Sequence, residues 1–387
     1  MCNKFIEIKE GAITIKVPSI IEKKKNMLVF YNPEKVFDRA LMISLLNELL
    51  KNKKKAKILD ALSASGVRGL RYAVEINTKT VDEVWINDIK SEAYYLMTQN
   101  VLHNRTKLNT SIFIRNDDAN KLFLEKINYF DVIDIDPFGS PVYFLENSIK
   151  ALKNRGYLLV TATDTAPLSG SYPKTCRRKY GSIIHKTEFY PELALRVLVK
   201  KTIEIGAKND VAMIPIFSYW RKDYIRVMFR KEKGAKKANE LLNNFGYIIY
   251  DRNSLFRKAI RSVLEIKDIY SRELKKFTLL GEIYLENIWN LDLLKNVLKR
   301  KGLDKKIRCF LLTIYEEAKV NVPFFYTTDS IARTFKISEP KLNEIIKTFT
   351  VENYEIARVH SLPKGFKTNC ELSNIRKIFL EKWKFTR

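Results

Sequence analysis

The stretch at 56–76, "AKILDALSASGVRGLRYAVEI", decides how the rest of the chain is read. Its first seven residues form a short apolar run, as a buried strand does. "SGVRGLRYAVEI" then reads as a loop of small residues entering a helix. Asp60, Ser63, Ser65, Gly66 and Gly69 let backbone N–H groups approach a ligand closely, because small side chains leave room. The full GxGxxG pattern is absent, so this loop alone is weak evidence for nucleotide binding. Arg68 inside it can pair with a carboxylate.

The same alternation continues outward. "VDEVWIND", "SIFIRNDD", "YFDVIDIDP" and "RGYLLVTATD" read as strands. "SEAYYLMTQNVLHNR", a short segment near 119–127 and "VYFLENSIKAL" read as the helices between them. After a loop comes a long helix, "FYPELALRVLVKKTIEIGA". Two strands joined by a short turn follow, "DVAMIPIFSYW" and "DYIRVMFRK". Alternating strands and helices predict a mostly parallel sheet covered on both faces. The fold class is therefore α/β, a Rossmann-like sheet with an antiparallel edge strand. Upstream, "NPEKVFDRALMISLLNELLKN" predicts a helix with Asn32 as cap and Pro33 in its first turn. Val36, Ala40, Ile43, Leu46 and Leu50 repeat at helical spacing. "FIEIKEG", "AITIKV" and "MLVFY" read as short strands and turns.

Past Lys231 the pattern changes. "KEKGAKKANE" is basic and polar and marks a boundary, giving domains at 1–231 and 232–387. The second is smaller and α+β. Within it, "TDSIARTFKISEPKLNEIIKTF" followed by "NYEIARVHSLPKGFKT" has the element order of a winged helix-turn-helix, although packed helices alone would read the same way.

In a parallel sheet, ligands bind beyond the carboxyl ends of the strands. Asp88 ends the second strand, 22 residues after Gly66. An acid at about that distance from a glycine loop accepts hydrogen bonds from ribose hydroxyls. It also precedes a helix and can cap it, and both roles can hold. Asp118 ends the third strand, where it can take an adenine amino group with Ala119 leaving space, or serve as a cap. The fourth strand ends "DIDPFGSP". Asp136 accepts hydrogen bonds only, Pro137 locks the backbone and removes an N–H, and Phe138 offers a flat stacking face. An exocyclic base amine needs that combination. Its nitrogen is conjugated and a poor nucleophile, so an acceptor must orient it while a ring holds the base plane. The sequence acid-Pro-aromatic resembles the Asp/Asn-Pro-Pro-aromatic tetrad of amino-methyltransferases.

The chain carries 70 Lys+Arg against 44 Asp+Glu, a net charge of +26, which draws in polyanions and makes nucleic acid the leading partner. An anionic membrane surface is second. Lys174, Arg177, Arg178 and Lys179, in "YPKTCRRKYG", read either as phosphate contacts or as a solvated loop. Cys176 among them has arginine neighbours that can lower a thiol pKa. Cys2, Cys176, Cys309 and Cys370 lie far apart with no CxxC pair, which supports neither a zinc site nor a disulfide framework. His103, His185 and His360 are isolated, and no serine lies in a GxSxG motif. No apolar run reaches the ~18 residues of a membrane span, and the amino end has no signal-peptide core. A cytoplasmic protein is expected, with no protein partner evident.

Taken with "FYNPEKVFDRAL", "LDALSASGVRGLRYA", "INDI", "NDDAN", "DVIDIDPFGSP", "TATDTAPLSGSYPKTCRRKYG" and "HSLPKGFKTN", these residues resemble the tRNA (guanine-26) N2-dimethyltransferases over nearly the whole chain. The resemblance implies a methyltransferase domain at 1–231 and a tRNA-binding domain at 232–387. It implies transfer of one and then a second methyl from S-adenosylmethionine to N2 of guanine 26 in tRNA. It also implies that Arg39, Arg68, Asp88, Asp118 and Ala119 contact the methyl donor. Asp136 would hold or deprotonate the amine, and Phe138 with Phe30 would sandwich the base. Many members of that family bind zinc through paired cysteines after the catalytic domain. Here that region reads "GYIIYDRNSLFRKA" without cysteine, so no metal is expected. Other readings stay open: amino methylation of adenine in DNA or ribosomal RNA, a non-catalytic nucleotide-sensing RNA-binding protein, or a Rossmann oxidoreductase. For the last, the glycine fingerprint is incomplete and no catalytic His or Tyr context is present.

Overall fold

The computed structural model describes residues 5–18, 29–77, 79–265 and 276–383. Its contacts divide the chain into two compact units. The first comprises Met1–Thr161, Met228–Lys233 and Lys295–Ile307; the second comprises Ala162–Val227, Gly234–Leu294 and Arg308–Arg387.

The first unit opens with an antiparallel hairpin, β1 (Phe5–Glu10) and β2 (Ile13–Pro18). Gly11, at φ +59°, makes its turn without the clash a Cβ would bring. Ile13, Ile15 and Val17 alternate inward and pack on Val67 and Leu70. The expected third strand, "MLVFY", does not form at residues 29–31, and Met27 and Leu28 lie outside the described residues. A 3₁₀ turn, Pro33–Lys35, leads into α1 (Val36–Leu49). Asn32 caps the turn by accepting from the Glu34 N–H, with Pro33 in the first position. Val36, expected on the buried face of α1, is exposed at its entrance, while Leu41, Met42, Leu45 and Leu46 are fully buried.

Then come β3 (Ala56–Asp60), α2 (Val67–Glu75), β4 (Val81–Asn87), α3 (Ser91–His103), β5 (Ser111–Arg115), α4 (Ala119–Glu125), β6 (Phe130–Ile135), α5 (Val142–Ala151) and β7 (Leu152–Ala162). All five strands are parallel, with Ile58 beside both Val84 and Val132, Val84 beside Ile112, and Val132 beside Tyr157. Strands β8 (Val211–Arg221) and β9 (Tyr224–Lys233) complete a sheet of order β5-β4-β3-β6-β7-β9-β8. Only two residues join β8 to its neighbour β9, which permits an antiparallel pair and no crossover. The sheet is therefore mixed and Rossmann-like, with β9 inserted between β7 and the edge strand β8.

The second unit contains α6 (Thr165–Leu168), α7 (Pro173–Tyr180), α8 (Tyr190–Ala207) and α9 (Ala235–Leu242). An antiparallel sheet follows, β10 (Phe245–Tyr250) flanked by β11 (Arg257–Ile260) and β12 (Thr278–Tyr284). Beyond α10 (Leu291–Leu298) and α11 (Lys305–Lys319), a last sheet has the order β13-β15-β14. Its strands are β13 (Tyr326–Thr327), β14 (Ile356–Arg358) and β15 (Gly365–Thr368), accompanied by α12 (Thr328–Phe335), α13 (Leu342–Val351) and α14 (Leu372–Trp383). Ile331, Ile345, Phe349, Phe366 and Phe379 form its core. One break between the units, after Lys233, falls within "KEKGAKKANE", close to the boundary expected at 231, and the others fall after Thr161, Val227, Leu294 and Ile307; that stretch is not a linker. Its first residues finish β9 and the rest start α9.

Candidate active site

Four acids stand at the carboxyl ends of adjacent strands. In sheet order they are Asp118 after β5, Asp88 after β4, Asp60 on β3 and Asp136 after β6. Asp118 accepts from the Asn120 N–H at 2.7 Å and so caps α4, beside the buried Ala119. Asp88 accepts from the Ala64 and Lys90 N–H groups at 2.9 and 3.0 Å. Both acids are half-buried, Asp118 as the cap of α4 and Asp88 in the turn before α3, which has no side-chain cap, and a carboxylate offers about four acceptor sites, so neither is saturated. The loop between β3 and α2 bends through Gly66 at φ +78°. Ser63 and Ser65 are buried in it; the Ser63 hydroxyl donates to the Asp60 carbonyl.

Among the described residues, two cations hold Asp136. Lys35 Nζ donates to its carboxylate oxygens at 3.0 and 3.3 Å, and Arg68 Nη2 donates at 2.5 Å. The carboxylate side chain is 18% exposed and Lys35 8%. Arg68 also binds Asp38 at 2.8 Å and lies 3.5 Å from Asp134. Burial disfavours its charge, but Asp134, Asp38 and Asp136 outweigh that and raise its pKa well above the ordinary value. Asp134 accepts from the Tyr72 hydroxyl at 2.6 Å and is the register partner of Asp60. Burial, followed by the charge of Asp134, pushes Asp60 up to about 7. Asp60 still accepts from the Gly69 N–H at 3.0 Å.

Pro137 is buried and Phe138 projects from the turn, 73% exposed. Gly139 follows at φ +83°. The Phe138 ring meets Phe30, itself 40% exposed, edge to face with centroids 4.7 Å apart and planes at 71°. The structure thus brings Phe30, Phe138, Asp136 and Arg68 together. Arg39 is turned elsewhere: Nε and Nη2 donate to the two oxygens of Glu10, both at 2.6 Å, and Nη2 also to the Asn32 carbonyl.

Lys174, Arg177 and Arg178 lie in the second unit, exposed on a helix, α7, and not on the loop expected. Lys179 pairs with Asp164 at 3.3 Å. The arginine neighbours of Cys176 do not activate it: the thiol is fully buried, and burial, then the charge of Asp164, pushes it up to about 12. Among the described residues no group of three or more His, Cys, Asp or Glu could hold a metal, and no helix is long and apolar enough to cross a membrane.

Lys35, Asp38, Tyr72 and Asp134 were missed in the sequence. The alternation of Asp134 with Asp136 on a strand, and of Lys35 with Asp38 one helical turn on, were the available signals.

A family model for N2,N2-dimethylguanosine tRNA methyltransferase matches residues 11–380. The tRNA (guanine(26)-N(2))-dimethyltransferase of Pyrococcus furiosus is 36% identical, over 95% of this chain and 97% of that one. The tRNA (guanine(26)-N(2)/guanine(27)-N(2))-dimethyltransferase of Aquifex aeolicus is 35% identical, over 96% and 94%. The solved structure of Trm1 from Pyrococcus horikoshii with S-adenosyl-L-methionine superposes with a TM-score of 0.85 at 34% identity, covering 98% of this chain and all of that one.

Proposed function

The chain belongs to the N2,N2-dimethylguanosine tRNA methyltransferase family, and from that premise we propose that the reaction turns on the carboxylate of Asp136. The enzyme is a tRNA (guanine-26-N2)-dimethyltransferase that uses S-adenosylmethionine, placing one and then a second methyl on the exocyclic amine. The observation that carries our assignment is the strand tip itself. A half-buried acceptor, a proline and a projecting ring follow one another at Asp136, Pro137 and Phe138.

The residues present fit the methyl donor. Arg68 Nη1 is buried, makes no hydrogen bond and has Asp134 Oδ2 3.5 Å away, so a donor carboxylate would complete its bonding. Arg39, turned to Glu10 and the Asn32 carbonyl, would contact the same carboxylate only by leaving those partners. Asp88 and Asp118 retain acceptor sites for ribose hydroxyls and the adenine amine, with Ala119 leaving room for the ring. The backbone at Ser63, Ser65 and Gly66 lies between these two groups of contacts. When bound, S-adenosylmethionine supplies a sulfonium methyl that is already electrophilic.

The protein then needs only to present the amine. Asp136 accepts an N2–H and points the nitrogen lone pair at the methyl. As the N–C bond forms and the C–S bond breaks, the bonding pair goes to sulfur. N2 becomes a strong acid, since its lone pair no longer delocalises into the ring, and its proton passes to Asp136. The second round repeats this with one N–H remaining. The guanine reaches the site by leaving its stack, at a cost of a few kcal/mol. Stacking on Phe138 and Phe30 returns roughly 1–3 kcal/mol. A base held between two parallel rings needs them roughly 7 Å apart, so the edge-to-face contact must open. The carboxy-terminal residues, with Lys174, Arg177 and Arg178, hold the tRNA body through its phosphates. We place the reaction in the cytoplasm.

Nucleoside analysis of tRNA after reaction should yield N2-methylguanosine and then N2,N2-dimethylguanosine at position 26. Asp136→Ala and Asp136→Asn should lose transfer while donor binding, measured by titration, persists. Full activity in either variant would overturn the assignment, and label entering only DNA or ribosomal RNA would overturn the substrate.

A further inference from the structure

We propose that Lys35 is a positioning residue for methyl transfer: with Arg68 it holds the Asp136 carboxylate as an ionised acceptor in one orientation. The inference rests on the reading of Asp136 as the amine acceptor. Its basis is geometric. Lys35 is placed by a capped turn, in which Asn32 accepts from the Glu34 N–H and Pro33 fixes the first φ. From there its ammonium crosses to a strand tip 101 residues away and reaches both oxygens of Asp136, at 3.0 and 3.3 Å. A lysine this buried is costly unless it is paired.

Arg68 cannot do the same work alone. Its guanidinium is shared among Asp38, Asp134 and Asp136. Among the described residues, the charged and titratable groups joined to Asp136 or to its partners are Lys35 and Asp38 from the 3₁₀ turn and α1, Arg68 and Tyr72 from α2, Asp60 from β3 and Asp134 from β6. Without Lys35, Arg68 would be the cation left, among the described residues, facing these four carboxyl groups. Such a cluster titrates as a set, and it would take up a proton at higher pH than it does with two cations present. A protonated Asp136 presents a donor where the amine needs an acceptor.

The test is the pH profile of kcat and KM at saturating methyl donor, with unmodified tRNA. In Lys35→Met, kcat should fall more than tenfold at neutral pH with KM for tRNA changed less than threefold. The acidic limb of the profile should move up by about one pH unit, the direction and scale expected when an opposite charge is removed from a carboxylate. Lys35→Arg should restore the limb to its original position. If Lys35→Met does not bind the donor, and so is not folded, Lys35→Gln carries the same measurement. A folded neutral variant with the wild-type limb and wild-type kcat would overturn the proposal. So would a loss of kcat with no movement of the limb, which is what a structural role gives. Asp136→Asn is run alongside. If that variant is active, the reading of Asp136 itself has failed; if it is inactive while Lys35→Met is normal, only the role of Lys35 has.

Discussion

At the scale of single residues, Asp60 and Asp136 are both acids at strand ends, and their surroundings separate them. Asp136 has two cations on its carboxylate; Asp60 is fully buried beside Asp134. With a pKa raised to about 7, Asp60 stabilises the fold when protonated. That stabilisation is complete below about pH 4, the unfolded value, and is lost as pH rises through about 7, amounting to a few kcal/mol. Asp60→Asn carries no charge, and its amide oxygen can still accept from the Gly69 N–H. Thermal melting should therefore find the variant several degrees more stable than the wild type at about pH 8 and no more stable at about pH 4. An equal difference at both pH values would show that the burial of charge is not the cause. Asp136 and Phe138 were legible in the sequence because a strand tip, a proline and a ring are neighbours along the chain. Lys35 was not, because only the fold brings residue 35 to residue 136.

At the scale of elements, the reading succeeded where periodicity was local and failed where tertiary contact overrode it. The five strand-helix alternations of the sheet came through because each strand is a short apolar run bounded by turn residues. The four cations of helix α7 suggest a solvated loop, whereas Pro173 at its first turn and Gly181 at φ +73° after its end are helix signals. Helix α8 shows the opposite case. Glu192, Arg196 and Lys200, spaced four apart, look like a solvated stripe, yet all three are buried. Arg196 donates to Glu192 at 2.7 Å, Lys367 lies 3.1 Å from it, and the Phe324 N–H donates to it at 3.0 Å. Burial alone would raise the Glu192 pKa, but Lys367 and then Arg196 outweigh it and bring the value to about 2. The stabilisation is thus present above the ordinary carboxylate range and fades as pH falls toward about 2. Glu192→Gln takes the nearest carboxylate from two buried cations, leaving Lys367 with Glu317 at 3.8 Å and Arg196 with backbone carbonyls, which should cost roughly 3 kcal/mol. Urea unfolding at neutral pH would measure that loss, and the gap to wild type should narrow on acidification. A constant gap would mean that Glu192 acts by shape and not by charge.

At the scale of the whole molecule, the excess of 26 positive charges sets what the protein attracts, and the strand-end constellation sets what it does there. The two contributions separate experimentally, because ionic strength acts on one and barely on the other. Binding of a polyanion releases counterions, and the slope of log affinity against log salt is about −0.9 per phosphate neutralised on duplex and about −0.7 on single strands. Lys174, Arg177 and Arg178 lie exposed on one short helix, so together they can neutralise up to three phosphates. Replacing all three by alanine should weaken tRNA binding and flatten that slope by roughly two units. Binding of S-adenosylmethionine, whose contacts we assign to the buried site, should keep the same affinity in the variant at every salt concentration. A slope unchanged from wild type would return these residues to the solvated surface and move the phosphate contacts elsewhere in the carboxy-terminal part. The chemistry would stay at Asp136, because a carboxylate whose partners are buried beside it is only weakly screened by salt.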